Sequence, residues 1–446
     1  MSKTSTSSFS AIITALRFPL IIMVVAIHLI SDKLTLPQWG APNCLYIYVS
    51  EFLSHSLPRI AVPMFFFISG YYAFYKKDWS QRSIWMVELK KRVKTLLIPY
   101  LLWNSIYLVI LLAKTQVGLR FGFSASDPFY ITSVTQLLSY YWWDVIVYPL
   151  WYIRDLMVLC ALGPILYQLL TWTRGYILLP LLVLFLIGWE CGVAGFGTVS
   201  FFCFMLGGQL GTKQIDPLEV IQRVKYLAGG IAIGTVFALP LLSEWAGYIV
   251  VHNIYILTGS ASALLLMQYI GRRSPEVIQC LSNLNKYVFF IYAVHTVLLV
   301  NWARGIVFRI PFLSEEGSGA VLGYLLIGGL TLAFSFVSYA IIKKIAPRTL
   351  AVLSGGRERR RAKHIKRRAR RGLAQRNRGG YSPPVHCHGD KGASEQLRHA
   401  LSAAHRPSLR RSPEARWTSS GTHARGIRVP QDGACGNLSA DACPPS

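Results

Sequence analysis

One apolar stretch near the N-terminus carries two ionisable residues, and that combination limits what the chain can fold into. Residues 11–30 read AIITALRFPLIIMVVAIHLI, in which Arg17 and His28 are the ionisable groups. An arginine at hydrocarbon depth costs about 2.5–3.5 kcal/mol on insertion scales, so it is kept where it is paired, solvated or used. Helix geometry brings the two side chains to one face, within about 20° of each other and about 16 Å apart. The stretch therefore predicts a membrane span with one polar face directed into a protein or water-lined interior.

The same two residues have a structural interpretation. Arg17 can snorkel to a lipid headgroup while His28 bonds a backbone carbonyl. Intramembrane charge is nevertheless functional by default. We therefore take Arg17 and His28 as candidate catalytic residues.

The rest of the chain has the composition of a multi-pass membrane protein. Of its 446 residues, 53% are hydrophobic and only 15% are charged, against about 25% charged residues in soluble domains. Apolar runs predict an all-α bundle of about ten transmembrane helices. The ten runs lie near 11–30, 59–75, 96–113, 151–170, 176–190, 198–211, 227–242, 248–270, 286–303 and 320–342. The runs 176–190 and 198–211 are shorter than the roughly 20 residues of a perpendicular span, so a broken or re-entrant pair is the alternative for them.

Basic residues predict the orientation of this bundle. The segment 76–94 carries seven lysines and arginines, which by the positive-inside rule places it in the cytoplasm. An even number of spans then puts both termini in the cytoplasm, with the protein in a cell inner membrane. No cleavage pattern follows the first apolar run, so we expect a retained helix and not a signal peptide.

The sequence divides into two regions of different character. Residues 1–350 form the predicted transmembrane domain, and residues 351–446 are predicted to be a basic, disordered cytoplasmic tail. The segment 357–371 alone holds ten Lys and Arg residues, and apolar periodicity is almost absent beyond it, so this part cannot fold on its own. Such a tail can adhere to anionic lipid. Without interleaved aromatic residues we expect no nucleic-acid partner.

Further candidate site residues lie at the ends of other predicted spans. Arg59 begins the second span, RIAVPMFFFISGYYAFY, at about the depth of His28. Snorkelling to phosphate is the alternative role for Arg59. Trp151 and Arg154 open PLWYIRDLMVL, where Arg154 can neutralise the neighbouring Asp155 or a substrate group.

A second candidate histidine lies in a later span, and several common binding motifs are absent from the chain. His295 lies in NKYVFFIYAVHTVLLVNW at mid-membrane depth, where it either bonds a neighbouring helix or belongs to the polar interior. The chain has neither a Walker A motif nor GxGxxG, which gives no indication of a nucleotide-binding fold. Its eight cysteines form no CxxC pair, so we expect no metal site.

Taken in order, these segments resemble the bacterial acyltransferase-3 family of multi-pass membrane acyltransferases. The segments are the Arg17 to His28 spacing, RIAVPMFFFISGYY, the basic loop before LLIPYLLW, PLWYIRDLMVL and FFIYAVHTVLL, which together cover most of 11–345. The length is most similar to the sugar O-acetyltransferases of that family. The resemblance implies transfer of an acyl group, usually acetyl from acetyl-CoA, to a hydroxyl of a surface, secreted or lipid-linked glycan, with no bound cofactor.

The resemblance also assigns residues. The family's arginine and histidine of the first helix match Arg17 and His28, and its arginine at the start of the second helix matches Arg59. Trp151, Arg154 and His295 lie in matching segments and are tentative substrate-binding residues.

The residue types suit acyl transfer, although two other functions compete with it. An imidazole can act as base or nucleophile, Arg59 can stabilise an oxyanion, and Arg17 can meet the phosphates or thioester of CoA. A transporter of protons or an anionic solute would use the same buried groups. A glycan-binding or assembly component without turnover is the third possibility.

Overall fold

The computed structural model describes residues 5–30, 36–121 and 129–356, and every regular element in those ranges is helical. The predicted all-α class is therefore confirmed. The α-helices are α1 (Ser5–Ile27), α2 (Cys44–Glu51), α3 (Ala61–Phe74), α4 (Arg82–Arg92), α5 (Ile98–Phe121), α6 (Val134–Trp142), α7 (Trp151–Ala161), α8 (Gly163–Trp172), α9 (Leu178–Leu186), α10 (Thr198–Thr212), α11 (Pro217–Gln222), α12 (Lys225–Ala238), α13 (Tyr248–Arg273), α14 (Pro275–Leu284), α15 (Val288–Val294), α16 (Asn301–Val307), α17 (Ala320–Ile345) and α18 (Pro347–Leu353). Short π-helical segments are Phe52–Ser56, Val93–Leu97 and His295–Val300, and 3-10 segments are Leu57–Ile60, Tyr148–Leu150, Leu239–Leu241 and Pro311–Leu313.

The structure does not confirm the ten membrane spans that the sequence predicts. In the described ranges five helices are long and apolar enough to cross a membrane, or seven if the bent pairs α7–α8 and α15–α16 each count as one span. These seven coincide with seven of the ten predicted runs, and the count of ten is not confirmed. The other three runs correspond to α9, α10 and α12, which have 9, 15 and 14 residues. At about 1.5 Å per residue, such helices fall short of a hydrocarbon core of about 30 Å.

Helix α10 is apolar because it packs inside the bundle, against α3. A Cβ atom at Gly207 would lie 2.1 Å from the carbonyl oxygen of Phe67, and one at Gly70 would lie 2.0 Å from that of Phe204. Gly207 and Gly211 form a GxxxG pattern, which lets two helix backbones approach closely. The main chains of α3 and α10 are therefore in direct contact.

The close contact between α3 and α10 predicts how a larger side chain at Gly207 changes the stability of the protein. Gly207→Leu is expected to lower the melting temperature and the yield of detergent-extracted protein. The added side chain meets a backbone oxygen that cannot rotate away, and overpacking of this kind costs about 1–3 kcal/mol or more. Size-exclusion chromatography after a heating series measures the effect. Gly230→Leu in α12 is the control, because a Cβ atom there meets nothing within 4 Å. Equal melting of Gly207→Leu and wild type would contradict the close packing.

Helix α18 crosses residue 350, the predicted domain boundary. Leu350 and Leu353 of α18 are 0% and 5% exposed, and the Trp103 indole donates a hydrogen bond to the Leu353 carbonyl oxygen at 3.2 Å. Residues 351–356, which the sequence analysis assigned to the tail, therefore belong to the helical body. The remainder of the predicted tail, 357–446, lies outside the described residues.

Candidate active site

A cavity of about 1140 Å³ lies among α1, α3, α7, α14 and α15. On α1 it is lined by Thr14, Arg17, Ile21 and Val24, whose spacing of three or four residues defines one helix face. His28 is the next residue on that face and lies just past the last residue of the helix. The structure therefore places Arg17 and His28 along one face of the helix, as the spacing predicts.

The part of the cavity away from His28 is basic. Its lining contains no carboxylate among the described residues, and it includes a basic rim, defined as Lys91, Arg92, Lys286 and Lys343. Arg17 lies deeper in the same cavity and, in the described part of the chain, makes no salt bridge. This lining is suited to an anionic ligand.

The positive charges of two rim residues are partly neutralised by a nearby carboxylate. The Glu88 carboxylate lies 3.1 Å from Lys91 Nζ and 3.9 Å from Arg92 Nη2, and Lys77 Nζ lies 3.2 Å from it as well. Partial burial lowers the pKa of Lys77 below its usual range, while the Glu88 charge opposes that effect. Most of the positive charge that remains for a ligand therefore comes from the other rim residues and Arg17.

The four histidines of the described residues form one cluster, which we call the histidine cluster: His28, His55, His252 and His295. The ring centroids of His28 and His295 are 5.2 Å apart, and Arg59 and His55 lie within electrostatic range of His28. His252 interacts electrostatically with the same Arg59 and His55. Arg59 therefore lies close enough to His28 for their charges to interact. No group of three or more His, Cys, Asp or Glu side chains in the described ranges is arranged to hold a metal ion.

This cluster lies just beyond the cavity. Three predicted site residues each lie three or four positions along the chain from a residue that lines the cavity. In each case the site residue is the one farther from the basic rim. The pairs are Val24 and His28, Val62 and Arg59, and Tyr292 and His295. Three or four residues are about one helical turn. The cavity therefore leads from the basic rim to within about one turn of the histidine cluster.

His295 has a defined tautomer. Its Nδ1 atom is 3.0 Å from the Ile291 carbonyl oxygen and 2.9 Å from that of Tyr292. Carbonyl oxygens only accept, so Nδ1 carries the hydrogen and Nε2 is left as an acceptor. This Nε2 atom is buried and has no hydrogen-bond partner among the described residues. His295, which opens a π-helical segment, therefore belongs to the polar interior.

Sequence reasoning missed a second pair of residues, Glu51 and His55. His55 Nδ1 lies 2.6 Å from Glu51 Oε2, and the two side chains are 1% and 3% exposed, respectively. His55 is part of the π-helical segment Phe52–Ser56, an irregularity that is frequent at functional sites. The i, i+4 spacing of the two residues was the available signal.

Arg154 and Trp151 lie apart from the cavity lining. Arg154 Nη2 is 3.1 Å from Asp155 Oδ1, and Arg154 Nη1 donates to the Trp142 carbonyl oxygen at 2.7 Å. Asp155 also accepts from the Ser200 hydroxyl at 3.1 Å. The guanidinium thus neutralises its neighbour, one of the two roles expected for it. A substrate-binding role for Arg154 and Trp151 remains a prediction.

The helical bundle thus holds a basic cavity, suited to an anionic ligand, that leads to within about one turn of buried imidazoles able to accept or donate protons. The chain belongs to the acyltransferase-3 family, because residues 11–340 match the family's acyltransferase domain. It is a multi-pass membrane acyltransferase, and the family predicted from its motifs is confirmed. The assignment favours the enzyme over the transporter and the non-catalytic component.

One curated relative matches most of the chain. The succinoglycan biosynthesis protein ExoH of Rhizobium meliloti (strain 1021) is 26% identical over 366 residues, which cover 79% of this chain and 93% of that protein. No solved structure shows a significant match.

Proposed function

We propose that the protein transfers an acetyl group from acetyl-CoA to a hydroxyl of a polysaccharide or lipid-linked glycan, in the inner membrane. The observation that carries the proposal is the cavity, which is basic at its rim and ends near His28 and Arg59. A donor with phosphates at one end and a thioester at the other matches this polarity. The name of the ExoH relative, which refers to succinoglycan biosynthesis, supports a polysaccharide acceptor.

The donor phosphates bind at the basic rim. Arg17, Lys286 and Lys343 make no salt bridge within the described residues, so they are available to phosphate oxygens. Guanidinium and ammonium groups form strong charge-assisted hydrogen bonds with phosphate. The rim faces the cytoplasm in this proposal, in agreement with the basic segment 76–94, and the pantetheine arm extends through the cavity toward His28.

The chemistry takes place at the histidine cluster. The acceptor hydroxyl loses its proton, its oxygen bonds the acyl carbon, and the carbon–sulfur bond of the thioester breaks. The released sulfur takes up a proton and leaves as the CoA thiol. His28 acts at the reacting carbonyl as base or acyl carrier, and Arg59 stabilises the negative charge on the carbonyl oxygen.

Labelled acetyl-CoA tests this function directly. Membranes from cells that express the protein, and vector-only membranes, are incubated with [¹⁴C]acetyl-CoA and the host glycan. We expect base-labile label in the glycan fraction with the protein present, and background with the vector alone. Label at background in both samples, with glycan and folded protein present, would overturn the proposal.

The rim makes a prediction about donor affinity. The double substitution Lys286→Ala and Lys343→Ala is expected to raise the KM for acetyl-CoA about five- to tenfold, because exposed ion pairs contribute about 0.2–1 kcal/mol each. The kcat value should change little, since neither residue approaches the reacting carbonyl. Initial rates over a range of acetyl-CoA concentrations measure both constants.

The neighbouring Lys344 supplies the control for this prediction. It is exposed on the same helix but about 100° around it from Lys343, and it does not line the cavity. Lys344→Ala is expected to leave the KM within about twofold of wild type. An unchanged KM in the double variant would place the phosphates elsewhere.

A further inference from the structure

We propose that Glu51 and His55 form the general-base pair that takes the proton from the acceptor hydroxyl. This inference rests on the proposed acyl transfer and adds a catalytic residue to it. It leaves His28 and Arg59 to act on the thioester carbonyl.

The hydrogen bonding of His55 suits a base. Its Nδ1 atom faces the Glu51 carboxylate at 2.6 Å, so Nδ1 carries the hydrogen and Nε2 presents a lone pair. That Nε2 atom is buried and has no hydrogen-bond partner among the described residues. A buried polar atom without a partner is unfavourable, and a hydroxyl donor from a substrate would satisfy it.

The position of His55 agrees with this role. His55 lies within electrostatic range of His28, and its backbone carbonyl accepts a hydrogen bond from Arg59 Nε at 3.3 Å. The π-helical segment Phe52–Ser56 and the following turn therefore hold the base and the predicted oxyanion-stabilising cation together. Both groups come from the adjoining segments Phe52–Ser56 and Leu57–Ile60 and not from α1.

The other histidines of the cluster lack the same support. Nδ1 of His295 bonds two neutral carbonyl oxygens, and Nδ1 of His252 lies 3.1 Å from the side-chain oxygen of Asn253, which is also neutral. A carboxylate partner stabilises the positive charge that an imidazole gains on accepting a proton more strongly than a neutral oxygen does. Among the histidines of the described ranges, His55 alone is within salt-bridge distance of a carboxylate.

The proton transfer balances within the acyl transfer. The hydroxyl proton moves to His55 Nε2 as the hydroxyl oxygen bonds the acyl carbon. The carbon–sulfur bond breaks with its electron pair on sulfur. The proton then passes from the His55 imidazolium to sulfur, so that the base is regenerated and the CoA thiol is released.

A change of acceptor tests the role of His55. Hydroxylamine attacks a thioester carbonyl through a neutral nitrogen lone pair and needs no base to remove a proton first. His55→Gln is expected to lower acetyl transfer to glycan by about 10²–10⁴-fold, while hydroxamate formation above the vector background stays within about threefold of wild type. Glu51→Gln is expected to lower glycan transfer by about tenfold or more, again with hydroxamate formation retained.

Controls separate this role from folding and from the proposed function. Glu276→Gln, at an exposed position on α14, is expected to match wild type with both acceptors. The melting temperature of each purified variant shows whether it is folded. If His55→Gln is misfolded, Glu51→Gln is the variant that tests the proposal. Equal losses with both acceptors in folded variants, or unchanged glycan transfer, would overturn the general-base role. If the wild type transferred acetyl to neither acceptor, the proposed function itself would fail.

Discussion

His28→Ala is expected to lower the kcat for acetyl transfer to glycan about 10²–10⁴-fold, a range typical of the loss of an imidazole that acts directly at the reacting group. The His28 ring lies 5.2 Å from His295 and follows Arg17 along the cavity-lining face of α1. An alanine there removes the imidazole from the reacting carbonyl but leaves the basic rim intact. The KM for acetyl-CoA should therefore change little. Initial rates with labelled acetyl-CoA measure both constants.

A comparison of the two acceptors, glycan and hydroxylamine, distinguishes the role of His28 from that of His55. His28→Ala should lose transfer to hydroxylamine as well as to glycan, because its effect is on the thioester side of the reaction. The matched control is Ile22→Ala, at a 39% exposed position of the same helix. Wild-type rates in His28→Ala, with membrane-inserted protein at normal yield, would remove His28 from the mechanism.

Arg59→Ala is expected to lower kcat about 10²–10³-fold, which is the usual cost of removing one oxyanion-stabilising donor. Arg59 lies within electrostatic range of His28 and is tied to the His55 carbonyl oxygen. Because the negative charge develops only in the transition state, kcat should fall much more than the affinity for acetyl-CoA changes. Steady-state kinetics in detergent or proteoliposomes give the two constants separately.

Two further variants sharpen the test of Arg59. Arg59→Lys keeps the charge but not the forked geometry, so a partial loss between wild type and Arg59→Ala is expected. Arg309→Ala removes an arginine at an exposed position and should behave as wild type. A rise in KM with an unchanged kcat in Arg59→Ala would instead make Arg59 a donor-binding residue.

The features that the sequence predicts are those with local signals. The spacing of Arg17 and His28 defines their common face on α1, and helical periodicity is enough for that conclusion. The order of the motifs indicates the family. The closeness of Arg59 and His28 follows from the depth of each in its own span, because adjacent antiparallel helices bring equal depths together.

The features that the sequence does not predict depend on tertiary packing. Hydropathy alone does not distinguish an apolar helix that crosses lipid from one that packs inside the bundle, and α10 is of the second kind. Glu51 and His55 lie between the first two predicted spans, outside every predicted run. Their burial, and their nearness to His28, arise only when the helices around them assemble. The packing of α18 likewise depends on Trp103, which is far away in the sequence.

The direct contact between α3 and α10 has a consequence for chemistry. Arg59 stands two residues before α3 begins, and α3 meets α10 through main-chain atoms at Gly70 and Gly207. Interfaces made of long side chains can rearrange by rotamer changes, whereas a contact between main chains cannot. The cation is thus attached to a stiff support, so little reorganisation is needed when charge appears on the carbonyl oxygen. Mutations at these distant glycines would then slow the reaction even in protein that remains folded.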